Sequence, residues 1–254
     1  MIVDTYGTIL AGPKDERRLI LGQNHTRGMM DSLTAEQIAE RIWLSIAERR
    51  LRPGVRLKET ELAEVFGVSR ARVRQVLAIL AREGLITSEV NKGAFVAEPG
   101  VEDARDIFHV RRTVEQRVLE RLIDRLDDEK VATIRDHVEQ ERVANTQNDQ
   151  RAIIKLSGGF HQMLADMSDA EFLSRLMRDL ISRSSLITAA FRNSDQYNCG
   201  PDEHDEILLH LQNGDLKQAK KAMAHHLDHV EKELRLSGER DSIRSLKDVL
   251  LPQG

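Results

Sequence analysis

Cysteine is nearly missing from this chain: Cys199 stands alone, so no intrachain disulfide can form. Aromatic residues are almost as scarce, at 4%, which argues against a large sandwich of strands. No apolar run approaches the length of a membrane-spanning helix, so no membrane partner is expected. The opening residues Met1-Ile-Val-Asp-Thr-Tyr-Gly7 lack the basic-then-apolar layout of a secretory leader, and the expected location is cytoplasmic. Familiar catalytic signatures are missing as well. There is no His-Glu-x-x-His, no glycine-rich phosphate loop and no Gly-x-Ser-x-Gly elbow, so the chain is not expected to be an enzyme.

What the chain does contain is concentrated between Glu59 and Val96. Leu62, Ala63 and Phe66 make one short amphipathic helix, and Val73, Val76, Leu77 and Leu80 make a second. Gly67 hinges the two, and Ser69 is placed to cap the second. On that second helix Arg70 and Arg74 are one turn apart, on the side away from Val73 and Leu77. Two outward guanidinium groups near a helix N-terminus suit bidentate bonding to guanine edges, with the helix end itself favouring phosphate. Most outward arginines are simply solvated. Here the sequence continues through Gly84 into two short strand-like runs around Asn91-Lys-Gly93, a hairpin whose basic tip can reach phosphate or the minor groove. This is a winged helix-turn-helix, and double-stranded DNA is the expected partner.

Charge agrees with that assignment. From Ser32 to Pro99 eleven Lys and Arg stand against nine Asp and Glu, whereas from Gly100 to Gly254 twenty-three stand against twenty-nine. The excess at the front is small, so the placement of Arg70, Arg72, Arg74 and Lys92 carries more weight.

Along the chain, residues 1–31 show no sustained period and are expected to form a flexible extension. Thr34 and Gln37 form a capping box that opens a helix with a face of Ile38, Ile42 and Ile46, and Pro53-Gly54 is expected to end it. Residues 51–57 can add a short strand beside the wing. The DNA-binding domain is placed at 32–97, an all-α domain at 98–237, for which the resemblance given below implies effector binding and dimerisation, and a tail at 238–254. In the second domain helices are expected near Glu102–Leu126, Asp128–Asn148, Gln150–Met167, Ala170–Phe191, Asp202–Asn213 and Leu216–Leu236. The expected fold is therefore mainly α, a winged helix-turn-helix followed by an all-α bundle.

Three histidines, His161, His204 and His226, sit on three different helices of that bundle. Facing helices that supply neutral imidazoles are a common way to hold a divalent transition metal in a bundle. Isolated histidines also serve as caps, surface residues or satisfied core residues, and spacing alone does not choose between these roles. His210, His225 and His229 suit the plainer roles. Asp166 and Glu203 are nearby acids, Arg183 is a candidate anion contact, and Cys199 is either an auxiliary soft ligand or an idle thiol.

From about Leu33 to Leu236 the chain resembles the GntR family of bacterial transcriptional regulators, in its FadR-like branch with an FCD effector domain. In the first domain the resemblance rests on Pro53-Gly-Val-Arg-Leu-Lys-Glu59, Gly67-Val-Ser-Arg-Ala-Arg-Val-Arg74, Glu83-Gly-Leu-Ile86 and Asn91-Lys-Gly-Ala-Phe-Val96. In the second it rests on Val110-Arg-Arg-Thr-Val-Glu115, Phe160-His161, Glu203-His-Asp-Glu-Ile207, Gly214-Asp215 and His226-Leu227. The resemblance implies DNA contacts from Ser69, Arg70, Arg74, Lys92 and Gly93. Thr60 stands where many members carry an arginine and Arg72 where a proline is usual, and both are counted with the DNA-binding residues. It also implies that His161, His204 and His226 ligate a divalent metal, zinc or nickel. Arg111 would hold the carboxylate of a small metabolite, with Glu115 orienting it. Ser157 occupies the position where many members place an aspartate ligand, so the protein's fourth donor is missing.

The function this points to is a homodimeric, ligand-responsive transcriptional repressor on a palindromic operator, with Arg111, Ser157 and Arg183 beside the effector. The alternatives are a metal-free DNA-binding dimer with a purely structural bundle and, further off, a metal-dependent enzyme.

Overall fold

The computed structural model describes residues 33–89, 92–192 and 200–235. The expected extension, Asn91 at the hairpin tip, Cys199 and the tail lie outside them. Helix α1 (Ala35–Ala47) opens on Thr34, whose hydroxyl accepts from the Gln37 N–H at 3.2 Å while the Gln37 side chain accepts from the Thr34 N–H at 2.9 Å. Two otherwise orphaned donors are thereby satisfied. The helix does not continue to Pro53. It stops at Glu48, Arg49 takes a positive φ of 60°, and the Leu51 N–H turns back to the Ser45 carbonyl at 2.8 Å. Leu51 has no exposed surface. Delivering that side chain to the core is what bends the chain before the proline.

After α1 come β1 (Arg56–Leu57), α2 (Glu59–Phe66), α3 (Arg70–Arg82), β2 (Ile86–Glu89) and β3 (Gly93–Val96). The strands pair antiparallel in the order β1-β3-β2, with Arg56 opposite Phe95 and Glu89 opposite Gly93. The short strand expected beside the wing is thus present, and the three-stranded sheet packs its buried side on the helices. Ile38, Ile42 and Ile46 of α1, Leu62 and Phe66 of α2, and Val73, Val76 and Leu80 of α3 share one core.

The other described elements are helices: α4 (Val101–Ile123), α5 (Asp128–Gln147), α6 (Gln150–Met167), α7 (Glu171–Phe191), α8 (Pro201–Gln212) and α9 (Leu216–Lys232). The expected boundaries hold to within a few residues. Asp127, Asp149 and Asp215 cap α5, α6 and α9 by accepting from backbone N–H groups three residues on, which fixes where each helix begins. A second core, built on Leu119, Leu122, Phe160, Leu164, Met177, Ile207 and Leu227, fills the bundle. Arg112 of α4 donates to Asp228 of α9 at 2.6 Å and also pairs with Glu231, tying the first bundle helix to the last.

The two domains are joined by more than the segment 97–100. Leu186 of α7, 2% exposed, belongs to the core of the winged domain, and α1 packs on both α7 and α6. Lys155 of α6 pairs with Glu40 at 2.6 Å, and Arg151 approaches Glu48 at 3.6 Å. Beyond α3, Gly84 has φ +70° and lies so close to α7 that a Cβ there would meet the Arg183 guanidinium carbon at 2.3 Å. The positive φ is what favours glycine there, whereas the arginine end could swing aside. Leu186→Ala should therefore destabilise the protein by about 2–5 kcal/mol, as buried leucine truncations do. Hydrogen exchange of α1 and α3 should accelerate, and unchanged exchange there would show that Leu186 does not support the winged domain.

Candidate metal centre and DNA-binding face

The turn between α2 and α3 has the geometry its sequence calls for. Gly67 adopts φ 64° and ψ 29°, a left-handed conformation, and the Ser69 hydroxyl accepts from the Arg72 N–H at 3.2 Å. Thr60, Ser69, Arg70, Arg72 and Arg74 are all exposed. Both carboxylate oxygens of Glu59 accept from the Arg74 Nε, at 3.1 and 3.2 Å. Solvated on both sides, this pair is worth little and exchanges readily for another anion. Arg72 lies on a different flank of α3 from Arg70 and Arg74. It is within electrostatic reach of Glu36, whose carboxyl is lowered first by backbone and Thr34 hydrogen bonds and then by Arg72 and Arg82. Lys92 pairs with Glu89 at 2.7 Å on the wing, and Gly93 has φ +101°. Between α3 and the wing runs an open cleft that Arg70, Arg74, Thr60 and Gly93 line together with Arg56. Arg56 was not singled out in the sequence. Its guanidinium stands 6.0 Å over the Phe95 ring, and its exposed place opposite a buried Leu57 in β1 was the available signal.

In the bundle, His161 of α6, His204 of α8 and His226 of α9 come together, all buried. The His226 Nε2 lies 3.3 Å from the His204 Nε2 and 3.2 Å from the His161 Nε2. Metal–nitrogen bonds of about 2.0–2.1 Å would place two imidazole nitrogens on one ion about 2.9 Å apart at a right angle and about 3.4 Å apart at the tetrahedral angle. The observed spacings fall between these values. Phe160 stacks on His204 with ring centres 3.9 Å apart and fixes one ring's plane.

Each imidazole is oriented from behind by a carboxylate. Glu115 of α4 meets the His161 Nδ1 at 2.5 Å, Glu141 of α5 meets the His204 Nδ1 at 2.7 Å, and Glu203 of α8 meets the His226 Nδ1 at 2.8 Å. Burial would raise the Glu115 carboxyl, but Arg111 and then His161 overcome it and hold it down to about 2. Burial likewise opposes ionisation of Glu203, and the hydrogen bonds from His226 and His229 lower it to about 2. His161 itself is pushed down to about 3 by burial, with Glu115 pulling the other way, so it is neutral near pH 7. An ionised carboxylate accepts only. The Nδ1 atoms of His161 and His226 therefore carry their rings' protons, leaving bare Nε2 lone pairs that converge. This buried three-histidine cluster can hold a metal ion.

Glu141 differs from the other two. Burial pushes its carboxyl up to about 7, only partly offset by His137 and His226, and its Oε1 is buried without a hydrogen-bond partner. It was not anticipated from sequence. The signal was there, because Glu141 lies on the same helical stripe as buried Ile134 and Val138. Asp166, by contrast, is bonded to Gln162 and Ser174, away from the histidines.

Arg111 is 5% exposed, yet its Nε donates to Glu115 at 2.8 Å and its Nη1 to Ser184 at 3.0 Å. Its Nη2 is buried with no partner. A small cavity next to it is lined by Ser157, His161, Ser184, Ser185, Thr188 and His226. Ser157, one turn before His161 on α6, thus sits on this cavity wall. Arg183 does not. It is exposed on the side of α7 turned away from the buried Ser184 and lies against Gly84 of the winged domain. The reason is angular: adjacent helical residues point about 100° apart, so Ser184 and Arg183 serve different faces.

The chain matches the family model described as bacterial regulatory proteins, gntR family, over residues 34–96, and the FCD domain model over residues 106–229. An HTH-type transcriptional regulator from an unstable DNA locus of Streptomyces ambofaciens is 31% identical over 70% of this chain and 75% of its own length. The HTH-type transcriptional repressor RspR of Escherichia coli is 24% identical over 82% of this chain and 91% of that protein. Among solved structures, a GntR regulator from Rhodococcus superposes with a TM-score of 0.65 at 24% identity, covering 78% of this chain and 95% of the other. The E. coli protein McbR/YncC gives 0.66 at 19% identity, covering 77% and 93%. The two sequence relatives are described as transcriptional regulators, not enzymes, in line with the expectation drawn from the missing catalytic motifs. With a winged helix-turn-helix in front and an FCD bundle behind, the chain belongs to the GntR family of DNA-binding transcriptional regulators, in its FadR-like subfamily.

Proposed function

We propose that this regulator is a repressor that binds a palindromic operator as a homodimer and responds to a small carboxylate held beside a divalent metal. The observation that carries the sensing half is the partnerless, buried Nη2 of Arg111 next to three converging imidazoles. A guanidinium and a cation facing one cavity select an anion, and a buried donor without a partner is costly unless a ligand meets it. His161, His204 and His226 would hold zinc or nickel, which supplies positive charge and open coordination positions. Arg111 would clamp the carboxylate, and Ser157 would line its seat. The description of the E. coli relative as a repressor supports that direction of control.

In this reading residues 32–97 engage DNA and residues 98–237 sense and dimerise. Arg70 and Arg74 read the major groove, with Ser69, Thr60 and Arg72 at the helix entry, while Lys92 and Gly93 follow the wing toward the minor groove. Arg56 joins them in the cleft. Effector binding must favour one arrangement of the winged domains over another. Helix α7 is placed to do this, since Ser184 and Thr188 face the cavity while Leu186 and Arg183 face the winged domain. Release of α7 from that dock adds to whatever bending occurs at residues 97–100.

A metal-free bundle is the second reading, favoured by Glu141. If its raised carboxyl keeps a proton and donates it to the His204 Nδ1, the His204 Nε2 can carry a hydrogen toward His226 and satisfy the cluster without an ion.

Two outcomes test these assignments. Arg74→Ala should weaken binding to a DNA site selected by the wild-type protein by about 1–3 kcal/mol without changing thermal stability; undiminished affinity in a titration would remove Arg74 from the recognition face. Adding zinc to chelator-treated protein should expel close to one proton per chain at pH 6 and almost none at pH 8. The sign follows from Glu141, protonated below about 7 and driven to carboxylate by a cation on His204, while Glu115 and Glu203 are already ionised. Calorimetry in buffers of differing ionisation enthalpy reads the release, and its persistence in Glu141→Gln would contradict the assignment.

A further inference from the structure

The cleft between α3 and the wing is lined from both sides, and the arginine that comes from the sheet is held differently from those on the helix. Arg56 lies in β1 directly opposite Phe95 of β3, and the burial of Leu57 beside it turns Arg56 outward. Its guanidinium stands 6.0 Å over the Phe95 ring, with the Nε and Nη2 atoms 3.6 Å from where a Gly93 side chain would begin. The head is thus laid along β3 toward the wing tip and steadied by an aromatic face. Neighbouring cations already hold carboxylates: Lys58 pairs with Glu61 at 2.7 Å, Lys92 with Glu89 at 2.7 Å and Arg74 with Glu59 at 3.1 Å. Arg56 has no acceptor among the described residues, so it meets an anion without first giving up a partner.

Resting on the reading that α3 enters the major groove and the wing the adjoining minor groove, we propose that this cleft seats the sugar–phosphate strand dividing the two grooves, and that Arg56 is its phosphate clamp. One such strand separates neighbouring grooves of a duplex. A side chain placed between a helix in one groove and a hairpin in the other therefore faces phosphates and not base edges. Gly93 adds to the fit, since it puts no side chain between Arg56 and the approaching strand. A planar guanidinium fixed on one face leaves its edge, a fork of N–H donors, to meet two phosphate oxygens. Phosphates are alike at every base pair. Arg56 accordingly sets the depth and register of docking, while sequence choice stays with Arg70 and Arg74.

The test titrates full-length protein with a duplex that the wild type selects and with a scrambled duplex of equal length, by fluorescence anisotropy over a range of salt. Arg56→Ala should weaken both by the same factor, about tenfold, lower the slope of log affinity against log salt by about one and leave the melting temperature unchanged. Arg56→Lys, which keeps the charge and loses the fork, should restore the slope and part of the affinity. A neutral methylphosphonate placed at each backbone position in turn should reveal at least one site where the lost charge weakens the wild type severalfold and Arg56→Ala not at all. Unchanged affinity and slope in Arg56→Ala, a loss confined to the selected duplex, or no backbone site whose effect vanishes with Arg56 would each overturn the clamp. Should the Arg56 results hold while Arg74→Ala binds undiminished, the clamp stands and the base-reading role of α3 falls.

Discussion

The second domain depends on three buried imidazoles being held with their Nε2 atoms pointing at one another, 3.2 and 3.3 Å from the His226 nitrogen. Where two such nitrogens both carry lone pairs the contact is repulsive, and nothing in an apolar bundle would favour it. It is enforced from outside by Glu115, Glu141 and Glu203, which hold the Nδ1 atoms at 2.5–2.8 Å and so dictate where the other nitrogens point. Those acids arrive on α4, α5 and α8, and the histidines on α6, α8 and α9. Five of the six described bundle helices are thereby committed to one buried polar cluster, and the sixth, α7, closes the cavity beside it. A cluster of this kind is costly unless every member has a partner. Arg111 shows the same logic, since it neutralises Glu115 and keeps one donor in reserve.

On the proposed reading, the same arrangement gives sensing a route to DNA. Helix α7 is the wall of the cavity on one side and part of the winged domain's core on the other, through Leu186. Gly84, just past the recognition helix, is pressed against Arg183. Burial raises the Glu83 carboxyl, and Asp179 of α7 adds to the rise despite the opposing charge of Arg82. A rotation of α7 that improved contact with a bound acid would disturb all three contacts together, because a packed helix moves as a body. The exposed Arg74–Glu59 pair sits at the far end of the same recognition helix and has little energy to resist a change of orientation.

Much of this was legible before any coordinates, for identifiable reasons. Caps and hinges are local chemistry, so Thr34, Gly67 and Ser69 announced their roles, and helical period placed all six bundle helices. The three histidines were visible as residues, and the family resemblance singled out the same three that converge. What stayed hidden depends on contacts between distant segments. Glu141 looked like one acid among many on a polar helix until packing turned it inward. Arg183 looked like an anion contact in the pocket, and only the rotation of α7 shows that its neighbour Ser184 faces the cavity while Arg183 does not. The early end of α1 came from the pull of Leu51 on the core, a tertiary demand that overrode the obvious breaker at Pro53.

The claim that most needs testing is that the three converging imidazole nitrogens are completed by a cation. Elemental mass spectrometry on untagged protein purified without chelator measures this directly. The account predicts close to one zinc or nickel ion per chain, removed by a chelator and restored by added metal. No ion in the purified protein, and none taken up when zinc or nickel is supplied, would contradict it.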